Sequence, residues 1–195
     1  MSTSQHRGRL PLFGLAGLFL LPVLAAFYLY YNGDWRPAGS TTHGELIIPA
    51  RPLPSAEFLL ANGTPTARHL FKGKWTLAYR GNGQCDDACI RGLWVMRQTR
   101  LLLTQDMERV QRVFIAEEDC CNTKFFSREH PGLAVVAAQS IDALAVLTLF
   151  PSTDSTHSVY IIDPLGNLMM RFDTRENPKG LLTDLKKLLK LSHIG

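Results

Sequence analysis

From Leu10 to Tyr31 the chain runs for 22 residues without a charged side chain. As a helix, such a run measures about 33 Å, enough to cross the hydrocarbon core of a bilayer. It is an appendage, and the fold is left to the residues beyond it. Arg7 and Arg9 precede the run, and the first acid, Asp34, follows it. Positive charge on the short leading side predicts residues 1–9 in the cytoplasm and an exported remainder. Tyr28, Tyr30, Tyr31 and Trp35 would form an aromatic belt on the far side, while Pro11 and Pro22 would at most kink the helix. A removed signal peptide is the alternative, since Val23-Leu24-Ala25 offers a cleavage site. The run exceeds the roughly 7–15 residues of a signal h-region. That favours a retained single-pass anchor over residues 10–31, in the inner (cytoplasmic) membrane, with the domain in the periplasm or an equivalent exported space.

The 195 residues leave room for one soluble domain with a sizeable core. Residues 32–54, rich in Gly, Pro and Thr, read as a tether, and the domain is expected over 55–195. The formal net charge is +4, but outside Arg7 and Arg9 only 19 basic residues face 17 acidic ones. No Lys/Arg cluster interleaved with aromatics occurs, which argues against a nucleic-acid partner.

Within the domain, Phe58-Leu59-Leu60 predicts a short strand entering an Asn62-Gly63 turn. Trp75 to Tyr79 predicts a buried strand, after which Ile90, Leu93, Trp94 and Leu101 recur at helical spacing, giving a helix to about Leu103. Val110 to Ala116 is a second strand. Lys124 to Gln139 reads as a short helix and then a strand or turn, and Ala143 to Phe150 fits helix or strand. Ser158 to Ile162, the turn Asp163-Pro164-Leu165-Gly166 and Leu168 to Phe172 predict a hairpin. Asn177-Pro178 opens a last helix with an apolar stripe from Leu181 to Leu189. This order is that of an α/β thioredoxin-like domain.

Chemistry concentrates at Cys85 and Cys89, between the first long strand and its helix. Residues four apart on a helix lie one above the other, close enough to share a soft metal ion or a disulfide. A helix N-terminus lowers thiol pKa. Spacing alone leaves metal clamp and disulfide equally open. The chain has four cysteines, and in an oxidising compartment thiols need a reason to stay reduced. His157, just before the hairpin, is a candidate third ligand, since in this layout its loop lies beside the cysteine helix. Two thiolates select Cu(I), and an imidazole extends the site to Cu(II). Cys120 and Cys121 follow the second strand at the same end of the sheet. They read either as auxiliary thiols that exchange with Cys85/Cys89 or hold a second copper, or as two cysteines with no shared chemistry. His6, His43, His69, His130 and His193 are expected to be solvated. No nucleophile elbow, Gly-rich phosphate loop or zinc-protease motif is present.

The run from Phe58 to Cys89, with Phe71-Lys72-Gly73-Lys74-Trp75 and Cys85-x-Asp87-x-Cys89, resembles the Sco/SenC family of membrane-anchored, thioredoxin-like copper proteins. His157-Ser158-Val159-Tyr160-Ile161-Ile162-Asp163-Pro164-x-Gly166 is similar to the same family. The resemblance implies copper ligation by Cys85, Cys89 and His157, with Asp87 matching the acid inside the motif. It also implies a role in assembling the copper centre of cytochrome c oxidase subunit II, by delivering copper, by reducing cysteines, or both. The partner would be that subunit or another copper-assembly protein. Asp86 and Ile90 stand where the family usually has proline, and Thr156 stands where it usually has an acid. Two other functions fit the residues: a thiol–disulfide oxidoreductase acting on exported proteins, or a copper or redox sensor. Against the first, the motif is C-x3-C and no proline immediately precedes the hairpin strand.

Overall fold

The computed structural model describes residues 9–32, 42–117, 120–152, 154–192 and 194, in two units divided after Thr41. In the first unit, helix α1 (Arg9–Asn32) contains Pro22 and exposes its apolar side chains from Leu12 to Tyr31. Its segment Leu12–Tyr31 is long and apolar enough to cross a membrane. Trp35, expected in the aromatic belt, lies outside the described residues, as do His6 and His193.

Among its described residues the second unit is built on seven strands: β1 (Glu45–Pro52), β2 (Leu59–Leu60), β3 (Trp75–Gly81), β4 (Val110–Ala116), β5 (Leu133–Ala137), β6 (Ser158–Ile162) and β7 (Asn167–Asp173). They form one sheet in the order β1-β7-β6-β3-β4-β5-β2. β3, β4 and β5 run parallel, while β6 is antiparallel to β3 and β7 to β6. Among the described residues the remaining α-helices are α2 (Asp87–Leu101), α3 (Thr123–Glu129), α4 (Ile141–Thr148) and α5 (Pro178–Leu191).

Every residue of β6 is buried, as a central strand covered on both faces requires. Alternation sends Val159 and Ile161 to one face and Tyr160 and Ile162 to the other. The first face packs with Leu93 and Met96 of α2 and with Leu181, Leu185 and Leu189 of α5. The second packs with Ala143, Val146 and Leu147 of α4 and with Phe58 and Phe71. At roughly 1.5–3 kcal/mol for each fully buried large apolar side chain, these two layers hold the sheet between them. Asn177 caps α5 by accepting from the Lys179 N–H at 3.0 Å, with Pro178 in the first turn as expected.

Four expectations are corrected. The tether does not run to residue 54, because Glu45–Pro52 forms β1 and pairs with β7. Just before it, buried Asp184 of α5 accepts the N–H groups of His43 and Gly44, each at 2.8 Å, and its other oxygen meets His43 Nδ1 at 3.2 Å. His43 is therefore tied down although its ring is half-exposed. On α2 the buried face is Cys89, Gly92, Leu93, Val95, Met96 and Thr99, whereas Ile90, Trp94 and Leu101 point outward. Residues 143–150, which fit helix or strand, are no correction: they lie largely in α4, capped by Ser140.

The fourth correction is His130, which is buried with its ring 5.4 Å from that of Phe125 and its Nδ1 unpartnered among the described residues. Its pKa is pushed down by burial and then by the charges of Arg112 and Arg97. A histidine whose folded pKa lies below its unfolded value contributes stability above that value and loses it as the pH falls below about 6.5. The urea midpoint is accordingly expected to fall between pH 7.5 and 5, and to fall less in His130→Gln. An identical pH response in the variant would contradict this assignment.

Candidate functional site

The site lies where β3 hands the chain to α2. After Gly81 the backbone turns on Asn82, whose side-chain oxygen accepts from the Gln84 N–H at 2.8 Å and whose carbonyl accepts from the Cys85 N–H at 3.1 Å. Cys85 adopts φ 60°, a left-handed conformation that costs a side-chain-bearing residue roughly 1–2 kcal/mol. Asp86 follows as N-cap, its Oδ1 accepting from the Cys89 N–H at 2.9 Å, a contact worth about 1 kcal/mol. A proline there would have no such acceptor, so this departure from the Sco/SenC pattern has a local structural use. Cys85 and Cys89 are joined in a disulfide, with Cα atoms 5.1 Å apart.

Tyr79 forms the floor beneath this turn. Its ring stacks on Phe114 with centroids 6.1 Å apart and lies under Gly92, where a Cβ would sit 2.6 Å from the ring. The hydroxyl donates to the Thr156 carbonyl at 2.6 Å. Burial, then the charges of Asp86 and Glu117, push its pKa well above the usual tyrosine value, so it remains a donor. One side chain thus connects the central strand, the cysteine helix and the segment bearing His157.

That segment, the helical turn Ser155–His157, packs against both α2 and β3. The Thr174 N–H donates to the His157 carbonyl at 2.7 Å, and Arg91 of α2 donates to the Thr174 carbonyl at 2.8 Å. On the ring, Nδ1 lies 3.0 Å from Asp154 Oδ1 and 3.1 Å from Thr156 Oγ1. A carboxylate against Nδ1 favours the proton on that nitrogen, leaving the Nε2 lone pair for another partner. Arg175 in turn bridges Asp154 and Asp173. The hydrogen bond from His157, and then Arg175, hold the Asp154 carboxyl below the usual carboxylate range. The acid missing at position 156 is therefore replaced from position 154.

Cys120 and Cys121 are bonded to each other. Their segment runs beside the first cysteine loop, with the Asn122 N–H donating to the Gly83 carbonyl at 3.0 Å. Of the neighbouring acids, Glu117 pairs with Arg80, and residues 118 and 119 lie outside the described residues. The expected ligands Cys85, Cys89 and His157 thus come from adjoining elements. With both cysteine pairs oxidised, no group of three metal-ligating side chains stands ready among the described residues.

Asp154 and Tyr79 were not identified from the sequence. An Asp three residues before a His was a readable signal, whereas the reach of Tyr79 to Thr156 spans 77 positions and has no local signature.

The fold is a thioredoxin-like sheet with a cysteine pair at the start of the helix after its central strand. The chain belongs to the family described as the transmembrane-like, thioredoxin-like, C-terminal domain, whose model matches residues 75–192. No functionally curated protein matches it in sequence. Among solved structures it is similar to Bradyrhizobium japonicum ScoI with copper bound, at 22% identity and TM-score 0.57, over 72% of this chain and 100% of that one. Apo Sco1 from Thermus thermophilus gives 20% identity and TM-score 0.63, over 78% and 99%. BsSco, described by a disulfide switch and as a member of the Sco family of cytochrome c oxidase assembly proteins, gives 16% identity and TM-score 0.54, over 74% and 96%. The expected thioredoxin-like fold is the one these Sco proteins share.

Proposed function

We propose that this protein is a membrane-anchored copper-handling assembly factor for the copper centre of cytochrome c oxidase. The observation that carries the reading is the His157 turn seated against α2, with Nδ1 engaged by Asp154 and Nε2 turned to no partner among the described residues. Reduction of Cys85–Cys89 would free two sulfurs at the start of the helix against which the His157 turn packs, and two thiolates with an imidazole suit copper. Copper is cargo here: Cys85, Cys89 and His157 hold it, and Asp154 orients the imidazole. The copper-bound state of B. japonicum ScoI and the assembly role stated for BsSco support the same reading. Residues 10–31 would anchor the chain with the N-terminus cytoplasmic and the domain exported, facing cytochrome c oxidase subunit II or another copper-assembly protein.

A second reading, a thiol reductant for the cysteines of that partner, is favoured by the Cys85–Cys89 disulfide, which forms with the Asp86 cap and helix in place.

Copper titration of the reduced full chain in detergent tests the first reading. One equivalent of Cu(I) is expected to bind. His157→Ala should weaken binding on the order of 100-fold, and Asp154→Ala by about 10–100-fold, as loss of a ligand-orienting carboxylate does. Failure to bind, or affinity unmoved by His157→Ala, overturns the reading.

A further inference from the structure

We propose that Cys120 and Cys121 are the port through which reducing equivalents reach Cys85–Cys89, passed on by thiol–disulfide exchange. The inference rests on the reading above only in that the inner pair must be reduced to take up copper.

Three observations converge. The two segments are laced together: the Glu117 N–H donates to the Gly81 carbonyl at 3.0 Å, and the Asn122 N–H to the Gly83 carbonyl at 3.0 Å. Cys121 is therefore held next in sequence to a residue hydrogen-bonded two positions before Cys85. Cys121 also packs against the same apolar cluster that contains Cys85 and Cys89. Finally, exposure falls along the series. Cys120 is exposed and Cys121 half-buried, whereas Cys85 is 9% and Cys89 2% accessible. Exchange requires a thiolate to reach a disulfide sulfur, so access decides which bond an external donor attacks. A protein-sized donor meets the outer pair first.

The chemistry balances. A dithiol donor of the thioredoxin class reduces Cys120–Cys121, delivering two electrons and two protons and becoming a disulfide itself. The Cys121 thiolate then attacks Cys85 Sγ, the Cys85–Cys89 bond breaks, and Cys89 leaves as a thiolate that takes up the proton. Cys120 next attacks Cys121 Sγ of the mixed disulfide and expels Cys85, restoring the Cys120–Cys121 bond. Two electrons and two protons have moved inward, and the outer pair is oxidised again.

The test uses the fully oxidised full chain in detergent, with one equivalent of a reduced thioredoxin-type protein as donor. Samples are quenched by alkylation, and mass spectrometry locates the modified cysteines. Label is expected on Cys120 and Cys121 at early times and on Cys85 and Cys89 later. In Cys120→Ser the resolving thiol is missing, so a Cys121–Cys85 mixed disulfide should accumulate. In a Cys120→Ser/Cys121→Ser chain, reduction of Cys85–Cys89 by the same donor should slow at least ten-fold. Label appearing first on Cys85 and Cys89 in the unaltered chain overturns the proposal, whatever the variants do. So does an unchanged rate in a folded double variant. Because no step involves copper, failure of copper binding alone would remove the proposed function and leave this result standing.

Discussion

Replacing Gly92 by valine is expected to lower the unfolding free energy by about 3 kcal/mol, at the upper end of what overpacking a tight core costs. A Cβ at this position would lie 2.6 Å from Cε2 and 2.7 Å from Cδ2 of Tyr79. The ring has nowhere to go. It stacks on Phe114 on one side and is fixed at its tip by Thr156. The helix must move instead, taking Cys89 with it. The better helix propensity of the new residue returns less than about 1 kcal/mol, so the overlap decides the sign. Urea denaturation measures the loss, and an unchanged midpoint would show that Gly92 does not set the seat of α2.

Tyr79→Ala is expected to cost about 3–5 kcal/mol, as removal of a fully buried aromatic ring does. Tyr79 is 1% exposed and lies in the cluster shared by β3, α2 and β4. The milder Tyr79→Phe separates packing from the hydroxyl: it keeps the ring and strands the Thr156 carbonyl, at about 1–2 kcal/mol. The informative readout for that variant is copper affinity, because the hydroxyl acts on the backbone one residue before His157. Weaker Cu(I) binding with a largely retained unfolding midpoint is expected. Unchanged affinity would mean that Asp154 and Thr174 position the turn without it.

Strands β3, β4, β6 and β7 and helix α5 were readable because their apolar residues repeat at the right period and their ends carry turn or cap residues. β1 was not, because Pro49 and Pro52 look like breakers and are tolerated only where an edge strand need not donate at those positions. The buried face of α2 was misjudged for a related reason. Gly92 and Thr99 carry little apolar signal although they are buried, while Ile90 and Trp94 carry much although they are exposed. A helix that sits close on its sheet uses small residues at the contact, and hydrophobicity alone misses them. The candidate site was legible as residue types: two cysteines four positions apart, of which Cys85 lies before the helix and its cap, and a histidine whose loop the order of elements sets against the cysteine helix. What holds them was not, since Tyr79–Thr156 and Arg91–Thr174 are contacts between distant parts of the chain. The burial of His130 was likewise invisible, because a lone His before Pro131-Gly132 reads as a surface turn.

The two outer strands of the sheet share a property that bears on how copies of this domain meet. β1 carries two prolines without N–H donors, and its register with β7 shifts between Leu46 and Arg51. β2 is two residues long. Neither margin offers the continuous row of free donors and acceptors that a strand from another molecule would need to add on. Neighbouring copies, however crowded, are left to touch through side chains and cannot merge their sheets into one fibre. The loops at the end of β3 then stay clear of such contacts, as the proposed exchange with a donor requires.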